Sequence, residues 1–190
     1  MSLRPPHAHL RLEGWDRPAD PEDHALLALC VGPTLDVGCG PGRLTEALAE
    51  RGHVVLGIDV IRGAVGRTRG RGGAALRRDV FEPIPGEGRW ETALLADGNI
   101  GIGGDPAALL TRLREVLDPR GRIVAEVAPP GTTHHDGSAT LHWQAQQHVI
   151  RWSVVGIDAV EALAGRIGLA IVDRIHVGAR WAVVLEGAVT

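Results

Sequence analysis

The stretch TLDVGCGPGR, residues 34–43, constrains this chain more than any other, because it joins an apolar run to three alternating glycines and then to a segment that can be helical. Gly38, Gly40 and Gly42 allow left-handed backbone and let a ligand come close to bare main chain. A strand that enters a helix through such a turn places the ligand at the positive end of the helix dipole. Asp36 lies inside the apolar run, where an unpaired carboxylate is costly and needs something to bind.

The flanking sequence repeats the pattern. Before the motif, DPEDHALLALC reads as a helix capped by Asp20, with Pro21 at its first position. After it, GRLTEALAERG is a second helix, with Leu44, Ala47 and Leu48 on one face and Gly52 as its stop. HVVLGIDV closes a βαβ unit over residues 34–60 with a strand ending at Asp59. IRGAVGRTRGRGG is a poor helix, because each interior glycine costs about 1 kcal/mol relative to alanine. AALRRDVF is a strand ending near Asp79, and TALLAD is a strand closed by Asp97. DPAALLTRLREVL is the cleanest helix, capped by Asp105, and RIVAEVAP is the fifth strand.

The rhythm then changes. PPGTTHHDGS reads as a solvated loop, and alternation in ATLHWQA and HVIRWSVV predicts an inserted hairpin over about residues 139–155. GIDAVEALAGRIGL returns to helix, with Asp158 and Glu161 spaced as a capping box. AIVDRIHV and RWAVVLEG are joined by too few residues for a parallel crossover, so they pair antiparallel. The expectation is one domain over residues 1–190: an α/β, Rossmann-like, doubly wound and mostly parallel sheet of seven strands with an antiparallel final strand and helices on both faces. Ligands of such sheets bind at the carboxyl ends of the strands, and Asp36, Asp59, Asp79 and Asp97 all fall at or near those ends.

Bulk composition removes some alternatives. A formal charge of −3 gives no global attraction to nucleic acid or to a membrane surface. All 20 basic residues are arginine, and the concentration at Arg62, Arg67, Arg69, Arg71, Arg77 and Arg78 lacks the interleaved aromatics of an RNA surface. Two cysteines form neither a disulfide framework nor a metal-ligand pattern, and no apolar run is long enough for a signal peptide core or a membrane span, so a cytoplasmic chain without a metal is expected.

Two ligand chemistries compete for the glycine turn. A nicotinamide-dinucleotide site calls for G-x-G-x-x-G with an acid about 20 residues on. Gly38, Gly40 and Asp59 fit, but the third glycine position holds Arg43. A carboxylate at Asp36 also suits a cationic ligand better than a pyrophosphate. With DVGCGPG at 36–42, GID at 57–59 and DVF at 79–81, the chain resembles class I S-adenosylmethionine-dependent methyltransferases, in element order over nearly its whole length.

The resemblance implies S-adenosylmethionine as cofactor and a set of binding residues. Asp36 would serve the methionine ammonium, directly or through water, while Gly38, Cys39, Gly40 and Gly42 wrap the methionine portion. Asp59, followed by Val60, would accept the ribose hydroxyls; Asp79 and Val80 would flank the adenine; Ala96 and Asp97 would line the floor beneath the methyl. The N-P-P-Y or D-P-P-Y signature of the family's DNA-adenine and protein-glutamine methylases is missing from ADGNIGIGGDP, which favours a small-molecule acceptor.

For catalysis the candidates are Asp97, Asn99 and His134, none uniquely placed by the sequence. Glu126 either faces the site or pairs with an arginine, and Trp143, Trp152, His142 and His148 of the hairpin could wall an acceptor pocket. An oxidoreductase using a nicotinamide cofactor, or a protein that binds S-adenosylmethionine without turnover, are the alternatives.

Overall fold

The structure, a computed structural model, describes residues 8–188. Strand β1 (Ala8–Arg11) runs into a 3-10 turn (Leu12–Trp15), and helix α1 (Pro21–Leu27) follows. Then come β2 (Thr34–Val37), α2 (Arg43–Glu50), β3 (Val55–Asp59), α3 (Arg62–Gly70), β4 (Ala75–Arg77) and β5 (Trp90–Leu95). A second 3-10 turn (Asn99–Gly101) precedes α4 (Pro106–Val116) and β6 (Leu117–Val127). The hairpin β7 (His135–Trp143) and β8 (Gln146–Val154), helix α5 (Ile157–Arg166), and strands β9 (Leu169–Val177) and β10 (Arg180–Gly187) complete the order.

Seven strands form one sheet in the order β4-β3-β2-β5-β6-β10-β9. Every pair from β4 to β6 is parallel, while β10 is antiparallel to both its neighbours. Strand alternation divides the core between two faces. Ala93, Leu95, Ile123, Ala125, Val183 and Leu185 pack with Leu109, Leu113, Val160 and Leu163 of α4 and α5. The intervening Leu94, Val124 and Val184 pack instead with Leu26, Leu27, Leu44 and Leu48 of α1 and α2. Among the described residues both faces are thus covered, which leaves the rim of the sheet open to a ligand.

The helices begin where local chemistry sets them. Asp20 and Asp23 form a reciprocal capping box at α1, and Asp105 accepts the Ala108 N–H at α4. At α5 the expected box does not form. The cap residue there is Gly156, which puts Asp158 inside the first turn, where its carboxylate accepts the Gly131 N–H, while Glu161 pairs with Arg174.

A second sheet, ordered β1-β7-β8, lies outside the first. Its hairpin starts earlier than its alternation suggests: His135 and Asp136 belong to β7 rather than to a solvated loop, and Ser153 donates to Asp136 across the pair at 2.6 Å. Strand β1, which joins β7 in parallel with Ala8 opposite Ala139, has no counterpart in the sequence reading. Among the described residues no helix is long and apolar enough to cross a membrane.

Candidate functional site

Between the rim of the large sheet and the three-stranded sheet lies a cavity of about 290 Å³. Its floor comes from the segments that follow β2, β3, β4 and β5, and includes Gly38, Cys39, Gly40, Asp59, Val60, Asp79, Val80 and Asp97. Its roof is apolar but for Arg151: Leu10, Leu12 and Trp15 come from β1 and the turn behind it, and Leu141, Ile150, Arg151 and Trp152 from the hairpin. Pockets with apolar walls and a few fixed polar groups are what small ligands occupy.

The glycine turn is shaped by its neighbours. Gly38 has φ +73 and carries no side chain because a Cβ there would sit 2.7 Å from Asn99 Nδ2. That amide instead donates to the carbonyls of Val37 and Gly38, at 2.8 and 3.0 Å, tying the loop after β5 to the turn after β2. A Cβ on Gly40 would meet nothing closer than Leu12 Cδ2 at 4.0 Å, so its backbone borders open space in the cavity wall.

Asp59 is buried, and each of its oxygens accepts one backbone N–H: Gly40 at 2.9 Å and Ile61 at 2.8 Å. Burial raises its pKa, and the bonds from Ile61 and Gly40 work against that rise. A carboxylate has about four lone-pair positions, so these two bonds leave acceptor capacity for a ligand's hydroxyls. Asp79 accepts the Phe81 N–H through one oxygen, at 3.0 Å, and Val80 beside it is buried against the core.

Asp97 follows β5 in the left-handed region, at φ +54. Such a conformation costs a non-glycine residue of order 1 kcal/mol and persists only where its surroundings impose it. Here they do. Its N–H donates to Glu126 at 2.7 Å, and its two oxygens accept from Arg43 at 2.8 Å each. Arg43 also grips Asp23 at 2.9 and 3.0 Å, and Arg180 bridges Asp23 and Glu126 at 2.6 Å.

The Asp23 side chain is fully buried among Arg17, Arg43 and Arg180. Burial alone would raise its pKa, but the hydrogen bonds from Arg43 and Arg180 overcome this and hold it far below the usual carboxylate range. Burial works against the charge on Arg43 and Arg180, but hydrogen bonds to Asp97 and Asp23 from the first, and to Glu126 and Asp23 from the second, keep both guanidiniums charged.

Three of the expected cofactor residues, Asp36, Gly42 and Ala96, do not reach the cavity wall. Of the two expectations for Asp36, direct or water-mediated, the carboxylate's place behind the wall favours the second. Its side chain faces the helix side of β2, is 1% exposed, and accepts a hydrogen bond from Thr45 Oγ1 at 2.6 Å. Burial pushes its pKa up to about 6, against the opposing pull of Thr45 and Arg43. Gly42, at φ +89, serves as the N-cap of α2.

Nor does His134 line the cavity; it is exposed and lies 3.3 Å from Asp136. Glu126 resolves to the pairing role, with Arg180, and reaches the site through the Asp97 N–H. Trp152 lines the cavity, whereas Trp143 is buried beside Leu12, Ile61 and Ala64. In the arginine concentration after β3, Arg67 and Arg71 bind Asp16, Arg71 also binds Glu46, and Arg69 and Arg77 donate to backbone carbonyls. Sequence reasoning missed Asp23, Arg43 and Arg180 as a network, and Leu10, Leu12, Trp15 and Phe81 as walls.

These residues fit a nucleoside ligand whose amino-acid part is cationic. Bare backbone at Gly40, unused acceptor positions on Asp59 and Asp79, and a fixed acid at Asp97 follow one another along the floor. Arg43, at the place where a dinucleotide fingerprint needs glycine, fills the start of α2 with a guanidinium already committed to two acids.

A profile described as a methyltransferase domain matches residues 23–174. The chain is 29% identical over 150 residues to trans-aconitate 2-methyltransferase of Paracidovorax citrulli; the match covers 70% of this chain but spans only 58% of that protein. A solved S-adenosylmethionine-dependent methyltransferase of Bacteroides fragilis, in complex with S-adenosylhomocysteine, superposes with a TM-score of 0.77 at 22% identity, over 93% of this chain and 81% of that one. The 1,6-didemethyltoxoflavin-N1-methyltransferase of Burkholderia thailandensis gives 0.68 at 19% identity, with the same coverage of 93% and 81%.

Proposed function

Because the chain belongs to the methyltransferase domain family, we propose that it transfers a methyl group from S-adenosylmethionine to a small organic acceptor held under the β7–β8 hairpin. The observation that carries this reading is the row of acids along the floor, each fixed by its own backbone or arginine partners and each with room to accept more. When bound, the cofactor supplies a methyl carbon on a sulfonium: the acceptor's lone pair forms the new bond as the carbon–sulfur bond breaks, leaving a neutral thioether.

What remains for the protein is to bind, align and keep water out. Asp59 takes the ribose hydroxyls, and Asp79 with Val80 takes the adenine amine and ring face. The Gly38–Gly40 backbone and Asp97 hold the methionine end. Asp36 acts at a distance, as a buried negative charge behind the turn. Asn99 and Asp97 are positioning groups: one fixes the glycine turn, and the other is itself immobilised by Arg43 and Glu126. Among the described residues the titratable side chains on the cavity wall are carboxylates, arginines and the Cys39 thiol, with no histidine. The related proteins named above that act on trans-aconitate and on 1,6-didemethyltoxoflavin support a small acceptor here. Two buried free thiols, Cys30 and Cys39, suit the reducing cytoplasm.

Calorimetric titration with S-adenosylhomocysteine tests the cofactor. Tight binding is expected, and Asp59→Ala should weaken it by about 1.5–3 kcal/mol, the range for bonds to a charged group. Saturable binding of NAD without binding of S-adenosylhomocysteine would overturn the reading.

A further inference from the structure

The acids that border the cavity are engaged, whereas one of its cations is not. Asp59 and Asp79 accept backbone N–H groups, and Asp97 is gripped by Arg43, whose guanidinium is shared with Asp23. Arg151, from β8, lines the same cavity, and its side chain has no hydrogen bond or ion pair among the described residues. The Arg78 side chain, also on the wall, has among the described residues only Glu82, at 3.6 Å, and its Nε is buried without a partner.

The setting of Arg151 is built rather than incidental. Ile150, Arg151 and Trp152 are consecutive and all line the cavity, so the edge of β8 passes along its mouth. Ile102 forms a bridge with Trp152, and the stem of Arg151 lies over Gly104, where a Cβ would come within 3.0 Å of Arg151 Cβ. The backbone on both sides of this arginine is therefore held.

On this methyltransferase reading, we infer that the acceptor is a carboxylate carried on an apolar body, with the carboxylate paired to Arg151 and the body packed on Trp152, Ile150 and Leu141. A guanidinium beside an apolar wall is weakly hydrated and matches a carboxylate with two parallel hydrogen bonds. A cationic acceptor would meet Arg151 and the sulfonium together and be repelled by both. A neutral acceptor would leave the exposed Arg151 guanidinium to water and gain nothing from it.

The test uses three acid and amide pairs of the same shape: benzoate and benzamide, cinnamate and cinnamamide, indole-3-acetate and indole-3-acetamide. Each is titrated into the full chain with and without saturating S-adenosylhomocysteine, for the native protein, Arg151→Gln and Arg151→Lys. At least one acid should bind about tenfold more tightly than its amide, as expected for a charge-assisted bond. The preference should vanish in Arg151→Gln, survive in part in Arg151→Lys, and weaken with added salt, while affinity for S-adenosylhomocysteine stays unchanged in both variants. The inference is overturned if acids and amides bind alike, if the preference survives Arg151→Gln, or if no probe binds the loaded protein. A native protein that fails to bind S-adenosylhomocysteine yet keeps an acid preference dependent on Arg151 would sink the cofactor reading alone.

Discussion

Asp36 shows how a single residue can set ligand binding against stability. Its carboxylate is buried with one hydroxyl partner, and its pKa rises to about 6 from an ordinary 3.8. A folded pKa above the unfolded one means that the folded state prefers the protonated acid. That preference stabilises at low pH and is lost as pH rises through about 6. Asp36→Asn should therefore be more stable than the native chain at pH 8, by about 1–3 kcal/mol. The gain should shrink below pH 6, with urea unfolding at pH 8 and pH 5 as the measurement. An equal gain at both values would rule out titration as its source. The same variant should bind S-adenosylhomocysteine less well if the buried charge acts on the ammonium.

Among the elements, the hairpin and the loop after β5 explain each other. A Cβ on Gly101 would sit 1.9 Å from the Ser153 carbonyl oxygen, so the loop is glycine there because β8 rests on it. Gly101→Ala should displace β8 and cost about 1–3 kcal/mol, as overpacking does. Hydrogen exchange should quicken in β7 and β8 while β2, β3 and β5 keep their protection. A uniform change across both sheets would contradict this.

Most strands and helices of the large sheet were legible because they carry their own period and stop signals, α3 with its interior glycines being the weakest, and the glycines and acids fall in turns that a short window displays. The roof was half legible. Alternation exposed β7 and β8, but the four residues of β1 carry no pattern of their own and gain meaning only opposite Ala139–His142. The capping box expected at α5 failed for a related reason, since Asp158 found a partner in Gly131, outside any local window.

At the scale of the whole molecule, Asp23 joins the start of α1, the start of α2 and the beginning of β10 through three arginines, and Arg43 and Arg180 carry that link on to the end of β5 and to β6. No reading along the chain could have found it, because Arg180 and Asp23 meet only when the fold closes. Asp23→Asn leaves buried guanidiniums underpaired and should cost about 3–5 kcal/mol. Since the native pKa is depressed, this stabilisation is present above the unfolded value near 3.8 and fades as pH falls below it. The variant should lose that acid limb, which denaturant titrations between pH 7 and pH 3 would reveal.

The placing of β10 between β6 and β9, although it follows both in the chain, has a bearing on biosynthesis. A nascent polypeptide that has emerged only as far as β9 presents the bare edge of β6, and an open edge is a template for wrong pairing. Folding must then deliver the last strand into a slot held open between β6 and β9, and a chain lacking that strand would bare the edges of both.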